Sequence, residues 1–435
     1  MENLNEEIKE NLHALFPHPE VNVFWTSHHP YYLFTHEYSQ TSAGDRAFYY
    51  LCHVLNECGY EAYVVADKPV SGLRTPIITY EIRMQHQKEG RCPIAMYNET
   101  VFGNPLEASV VVRWIMNRKV YLHGKPNLFS PSDLCYCWSE AYTDGEKSAI
   151  LRVPLVDTSI FHTQGAKDDN RTGFCYYAHK YFQFFNGQVE LPDKLKTYGT
   201  SLCQDIKRSH TEIADILRHS RVLFCYEPSS IMAEAEHCGC PAIYVKSDYL
   251  AAFDLESIEY KFPFITEEEI DINNLGMKIN ADHYEKWIEV AKKPVELFGA
   301  MLNQFVTKTQ AEAEKCKELT PKQDEFVTFC SEYRPLYIYG GGTIARQCCR
   351  VMRIMGIKVE GIVVSDDYYD YDSCKLMYCG LPVFSIIQIE QQKAFCGLVL
   401  AMAIQHQDEV IKTLDERGFS NYLRYSLLCT IVGKR

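Results

Sequence analysis

Residues Arg221 to Val245, RVLFCYEPSSIMAEAEHCGCPAIYV, leave few folds open to the chain. Val222 to Tyr226 is an apolar run of the length a buried strand needs, and Glu227-Pro228-Ser229-Ser230 breaks it with polar groups and a proline. Ser229 or Ser230 is placed to cap a helix from Ile231 to Cys238, which Gly239 and Pro241 close before a second apolar run, Ala242 to Val245. Strand, turn, helix and strand in this order form a parallel α/β unit. In open sheets of this kind ligands bind beyond the carboxyl ends of the strands, and helix N-termini suit anions. Glu227, Ser229 and Ser230 therefore stand where a ligand would be held, with Glu227 and Glu234 as the carboxylates of the unit. The competing reading is an ordinary unit whose glutamates are solvated.

With 435 residues, 46% hydrophobic and 23% charged, the chain has room for two or three globular domains and is not a disordered one. A net charge of −13 argues against a general nucleic-acid binder and against attachment to anionic lipid by charge alone. The 18 cysteines are scattered, with no pair of CxxC motifs to hold zinc, and read as reduced, mostly buried thiols of a cytoplasmic protein. The opening MENLNEEIKENLHALF is acidic and amphipathic, neither a signal peptide nor a membrane span.

Before the central unit, a strand is expected over Val21 to Trp25, then a loop, a helix with Phe48, Leu51, Val54 and Leu55 on its apolar face, and a strand from Glu61 to Ala66. Gly44 stands at the helix entry, and His28 and His29 lie on the loop, either reaching a cleft or solvated. Ile94 to Asn117 reads as a strand, a polar turn and a helix carrying Val110, Val111 and Trp114 inward. Strands follow at Leu134 to Trp138 and Ile150 to Val156, then a polar linker from Thr163 to Asp169 and a strand from Phe174 to Ala178. Lys180 sits just past that strand; Glu212 to His219 is an amphipathic helix. From Asp282 to Leu319 the pattern is helical, with Trp287, Val290, Ala291, Val295, Leu297, Leu302, Phe305 and Val306 as buried positions.

The last part starts afresh. Leu336 to Tyr339 is a strand, and Gly340-Gly341-Gly342-Thr343-Ile344-Ala345 has GxGxxA spacing at the entry to a helix reaching Met355. A second strand, Lys358 to Val364, ends just before Asp366, where a ribose would lie. This module either binds a nucleotide or nucleotide-sugar through Gly340, Gly342 and Asp366 or keeps only the fold.

The acidic residue, small polar turn and Glu-Ala ahead of Cys-Gly-Cys-Pro resemble the donor site of GT-B-type nucleotide-sugar glycosyltransferases. That resemblance implies that Glu234 binds the nucleotide's ribose, Glu227 the transferred sugar, and Ser229 and Ser230 border the diphosphate. Arg171 and Lys180 would neutralise the leaving diphosphate, and Gly44 would lie near it. The family places one more residue between its two carboxylates than this chain does. Glu99, Gly103, Asn104, Pro105, Arg113 and Trp114 match a motif of a bacterial subset of these enzymes, with Asn98 standing where that subset has proline. The match implies that Glu99 and Asn104 face the acceptor or donor sugar across the cleft. The C-terminal module resembles the nucleotide-sugar-binding domain of bacterial sugar acyltransferases.

Together these resemblances imply an α/β protein with two facing Rossmann-like domains, residues 1–160 on the acceptor side and 161–325 with the donor site, plus a third small Rossmann-like domain at 326–435. They imply a retaining, metal-independent transfer from a nucleotide-sugar donor to a glycan or lipid-linked acceptor, in the cytoplasm or at the inner face of the membrane. Catalysis would fall to Glu227, Lys180 and Glu99. No cofactor is required, though a nucleotide or NAD(P) in the third domain is left open, as is homo-oligomerisation; no nucleic-acid partner or integral membrane segment is expected. Inversion would need a general base, for which Glu99, His28 and His29 are the candidates. The alternatives are an NAD(P)-dependent oxidoreductase or epimerase using the C-terminal glycine loop, and a non-catalytic nucleotide-sugar sensor.

Overall fold

The computed structural model describes residues 28–101, 103–117, 129–143, 148–164, 171–185, 187–203, 206, 208–253, 262–273, 281–316, 325–369 and 377–425. The strand expected over Val21 to Trp25 and the N-terminal amphipathic segment lie outside them.

Three α/β sheets follow one another. The first is built from β1 (Tyr31–Phe34), β2 (Ala62–Val64), β3 (Ile94–Asn98), β4 (Val110–Ile115), β5 (Leu134–Cys137) and β6 (Ala149–Ile150), in the order β2-β1-β3-β4-β5-β6 and parallel throughout. Helices α1 (Ala43–Glu57) and α2 (Tyr80–Lys88) belong to it. Two expectations are corrected here. Tyr31 to Phe34, read as loop, is a strand buried on both faces: Tyr31 and Leu33 pack to one side, Tyr32 and Phe34 to the other. Val110 to Ile115, read as helix, is the central strand β4. Its valines and tryptophan fit a helical face by spacing alone, but a run of β-branched residues covered on both sides favours the extended chain.

The second sheet contains β7 (Cys175–Tyr177), β8 (Thr200–Ser201), β9 (Leu223–Cys225), β10 (Ala242–Val245) and β11 (Phe264–Ile265), in the order β11-β10-β9-β7-β8. Its helices are α3 (His179–Phe184), α4 (Asp193–Tyr198), α5 (His210–His219) and α6 (Ile231–His237). The central unit is therefore β9, a turn, α6 and β10, with β9 and β10 paired in parallel as expected. The long helix α7 (Ala281–Cys316) then returns to the first half. Phe298, Leu302, Phe305, Val306 and Ala313 join the core of the first sheet, and the Tyr31 hydroxyl lies 2.8 Å from that of Thr309. Leu297, expected inside, is exposed.

After α8 (Glu325–Glu332), the third sheet contains β12 (Leu336–Tyr339), β13 (Gly361–Val364), β14 (Met377–Tyr378), β15 (Leu381–Ser385), β16 (Gly397–Ala401) and β17 (Tyr422–Tyr425). Its order is β14-β15-β13-β12-β16-β17, parallel except for the β14–β15 hairpin. Helix α9 (Thr343–Met355) follows β12, and α10 (Ile404–Glu416) follows β16. Helix α9 is a layer shared with the first half. Ala345, Cys348, Val351 and Met352 share one core with Tyr32, Phe34, Ala95 and Tyr97 of the first sheet. Its polar residues are spent on the same junction: Gln347 donates to the Thr35 carbonyl at 3.0 Å, and buried Arg350 bonds Asp67 and Glu37.

In each sheet the strand order reverses once, between β1 and β3, between β7 and β9, and between β12 and β16. Open α/β sheets bind ligands at the carboxyl ends of the strands flanking such a reversal. The first two reversals face each other. Ile115 and Cys137, ending β4 and β5, share a core with Ala178, Tyr181 and Tyr226, which follow β7 and β9.

Candidate functional site

Lys180 lies on the first turn of α3, directly beyond β7, and Glu227 two residues beyond β9. Glu227 is fully buried and caps the start of α3: its Oε2 accepts the Tyr181 N–H at 2.9 Å, and the Lys180 N–H also donates to the carboxylate. Its Oε1 is buried without a hydrogen-bond partner. Burial pushes the carboxyl up to about 7, against the pull of the Lys180 ammonium and the two N–H donors.

From the opposite half, Glu99 stands one residue beyond β3, buried, with Oε2 accepting the Met116 N–H at 2.9 Å. Burial raises it too to about 7, and the Lys180 charge again opposes the rise. One half-buried ammonium thus serves a carboxyl from each half. The buried Tyr142 hydroxyl is near both acids: its pKa is raised by burial first and by Glu99 and Glu227 as well.

Beside this trio the halves are joined by an ion pair. Arg46 on the first turn of α1 places Nη2 2.9 Å from Glu234 Oε1 and 3.4 Å from Ser230 Oγ, and its Nη1 donates to the Leu155 carbonyl. Both charged side chains are buried, and the Arg46 Nε has no partner. His210 lies alongside, its Nε2 2.7 Å from the Gln40 carbonyl; burial lowers its pKa first, Arg46 lowers it further and Glu234 raises it. Arg46, Tyr142 and His210 were not foreseen. No local sequence pattern distinguishes them from solvated neighbours.

Of the residues expected at the site, Glu99, Lys180, Glu227, Ser229, Ser230 and Glu234 come together at the facing strand ends. Ser229 hydrogen-bonds the Tyr177 hydroxyl, and Ser230 precedes α6 without a side-chain capping bond. Gly44 is on the first turn of α1, where an added Cβ would meet only Met116 Sδ at 3.7 Å, so the fold does not demand glycine there.

The others have different tasks. Arg171 precedes β7, at the other end of that strand from Lys180, and donates to the carbonyls of Leu217, Ser220 and Cys238, tying α5 and α6 down. Asn104 is occupied by its own turn, accepting from the Tyr97 hydroxyl and the Ala108 N–H and donating to the Ala108 carbonyl. His28 and His29 precede β1, away from the carboxyl ends. His29 accepts the Cys92 N–H at Nδ1 and reaches Glu314 through Nε2 at 3.0 Å, and His28 packs on Tyr60.

In the third sheet, Gly340 lies at the reversal with φ +130°, and a Cβ there would sit 2.7 Å from the Ala401 carbonyl oxygen. Only glycine fits. Gly342 precedes α9 in open space, and its carbonyl accepts the Tyr378 hydroxyl at 2.8 Å. Asp366 is paired with Arg417 at 2.8 Å, while its Oδ1 is buried and unpartnered.

Among the described residues no cluster of His, Cys, Asp or Glu is arranged to hold a metal ion, and no helix is long and apolar enough to cross a membrane. No protein-family model matches the chain, and no curated protein does. Among solved structures it is similar to AviGT4, a glycosyltransferase involved in avilamycin A biosynthesis, at 11% identity over 65% of this chain and 98% of that one, TM-score 0.37. It is also similar to the spinosyn forosaminyltransferase SpnP, at 10% identity over 67% and 96%, TM-score 0.32. A third is Acinetobacter baumannii MurG, at 9% identity over 67% and 99%, TM-score 0.27. Likenesses this distant leave the assignment to the residues. What fold and site define directly is a three-sheet α/β protein with a buried site of two carboxyls and a lysine between its first two halves.

Proposed function

We propose that the chain is a GT-B-type glycosyltransferase, moving a sugar from a nucleotide-sugar donor to a glycan or lipid-linked acceptor. The observation that carries this reading is Lys180 set near Glu99 of one half and Glu227 of the other, at the facing strand reversals. A leaving diphosphate gains negative charge as the glycosidic bond breaks, and a fixed ammonium in a water-poor cleft stabilises that charge. Glu234 takes the nucleotide's ribose and Glu227 lies on the sugar side. Holding both substrates between the halves supplies the rest, by positioning.

Retention of configuration, with the leaving phosphate accepting the acceptor's proton, is the reading the two carboxylates of the β9–α6 unit suggest. Inversion through Glu99 as base is favoured by its proton affinity, raised to about 7. The anomer of the product, read by NMR, decides between them. The oxidoreductase alternative would use Asp366, which Arg417 holds as Arg46 holds Glu234, so the ligand tests below separate the two readings.

The test is a thermal-shift panel of nucleotide sugars, followed by turnover with any that bind. At least one donor is expected to raise the melting temperature, and Glu234→Gln, which lowers the starting melting temperature by leaving Arg46 unpaired, to remove that rise. A shift lost only in Gly342→Ala would move the ligand to the third domain. A chain that binds a donor with Glu234 intact but never turns it over would be a sensor.

A further inference from the structure

Helix α9 and the β14–β15 hairpin meet along a single helical face. The Tyr378 hydroxyl donates to the Gly342 carbonyl at 2.8 Å, and Arg346, one turn on, places its guanidinium 5.7 Å over the Tyr378 ring. Cys349 is one turn further, on the same face by the i, i+3 rule. Tyr378 packs into the core cluster to which Cys349 belongs, and Cys379, the next residue of the hairpin, lies beside Cys349.

The two cysteines differ from the other described ones. Cys379 is the exposed cysteine among the described residues, at the hairpin turn with φ +53°, while Cys349 is nearly buried beneath it. An oxidant in solution therefore meets Cys379 first and finds a second thiol directly behind it. Burial and the neighbouring Cys379 push the Cys349 thiol up to about 12, with Arg353 pulling against the rise, so the exposed Cys379 is the thiol that reacts first.

We propose that Cys349 and Cys379 form a reversible disulfide that fastens the β14–β15 hairpin onto α9, over the glycine loop of the third sheet. The oxidant is a small disulfide of the glutathione class. The Cys379 thiolate attacks one of its sulfurs, forming a mixed disulfide and expelling one small thiolate. The Cys349 thiolate then attacks the Cys379 sulfur, forming the protein disulfide and expelling the second. The two protons lost by the protein thiols pass to the two leaving thiolates, so the small disulfide is reduced and the protein oxidised by two electrons. Through Tyr378 the closed hairpin holds the Gly342 carbonyl, and α9 carries the same constraint to Thr35 of the first half.

The experiment treats the folded full-length chain with glutathione disulfide, blocks free thiols with an alkylating agent, and maps peptides by mass spectrometry. The expected product is a peptide pair joined through Cys349 and Cys379, reversed by dithiothreitol and absent from Cys379→Ser. Cys349→Ser is expected to stop at a glutathione adduct on Cys379. Amide hydrogen exchange at Gly342 and across the hairpin is expected to slow at least severalfold in the oxidised protein. A wild-type chain that accumulates only the Cys379 adduct, or whose cross-link joins other cysteines, overturns the proposal. So does unchanged exchange in the cross-linked form.

Discussion

Arg46 Nη2 and Glu234 Oε1 lie 2.9 Å apart across the junction of the first two halves, with 8% and 5% of their side chains exposed. The carboxylate expected to bind a ribose is thus already engaged by a cation from the other half. Removing the arginine leaves a buried charge without its partner, which in proteins costs roughly 3–5 kcal/mol. Arg46→Ala is accordingly expected to unfold at much lower urea, and Arg46→Ala combined with Glu234→Gln to recover part of the loss. A single-variant cost below about 1 kcal/mol would mean that the pair behaves as a solvated one.

That Lys180 and Glu227 stand beyond strand ends was legible, because the apolar runs of those strands are plain in the sequence. Lys180 after β7 and Glu227 after β9 needed only local pattern. Arg46 was not legible, since its partner lies 188 residues away and nothing local marks it. The same limit hid the role of α9. Gln347 and Arg350 look like a solvated face, yet both are buried and bond the first half. Strand β4 was misread for another reason: covered on both sides, it shows no alternation, and Val110, Val111 and Trp114 happen to fit a helical stripe.

Glu99 and Glu227 set a pH dependence whose sign follows from burial. Each is raised from 4.5 to about 7 in the folded chain, so between those values the native state holds more protons than the unfolded one. Stability contributed by these groups therefore falls as pH rises through that window, and their cost is fully present above it. At about 1.4 kcal/mol per pH unit, each acid costs on the order of 3 kcal/mol at alkaline pH. Glu99→Gln and Glu227→Gln are expected to match the parent or fall below it near pH ~5 and exceed it near pH ~8 in urea unfolding. Parallel pH curves for parent and variants would show that neither acid is raised.

Lys180 is the charge common to both acids. Lys180→Met is expected to leave the fold intact while lowering turnover of a bound donor by about 10²-fold or more, as loss of a fixed transition-state charge does. It also removes the charge that opposes the rise of both carboxyls, moving any titration of activity to higher pH. Lys180→Arg is expected to keep part of the activity. Unchanged kcat and donor affinity in Lys180→Met would take the lysine out of the site.

Gly340 and Gly342 separate what the third sheet needs from what a ligand would need. At Gly340, φ +130° and the Ala401 carbonyl 2.7 Å from an added Cβ make alanine strained and overpacked, a cost of more than about 1 kcal/mol. At Gly342 an added Cβ meets nothing within 4 Å, so Gly342→Ala is expected to change stability by less than about 0.5 kcal/mol. Helix α9 begins at this loop and is packed into the core of the first sheet as well as the third. The Gly340→Ala loss is therefore expected in the main cooperative transition, seen by tryptophan fluorescence through buried Trp114 of β4. A separate early transition that leaves the Trp114 signal in place would show that the third sheet unfolds by itself and that α9 does not bind the two together.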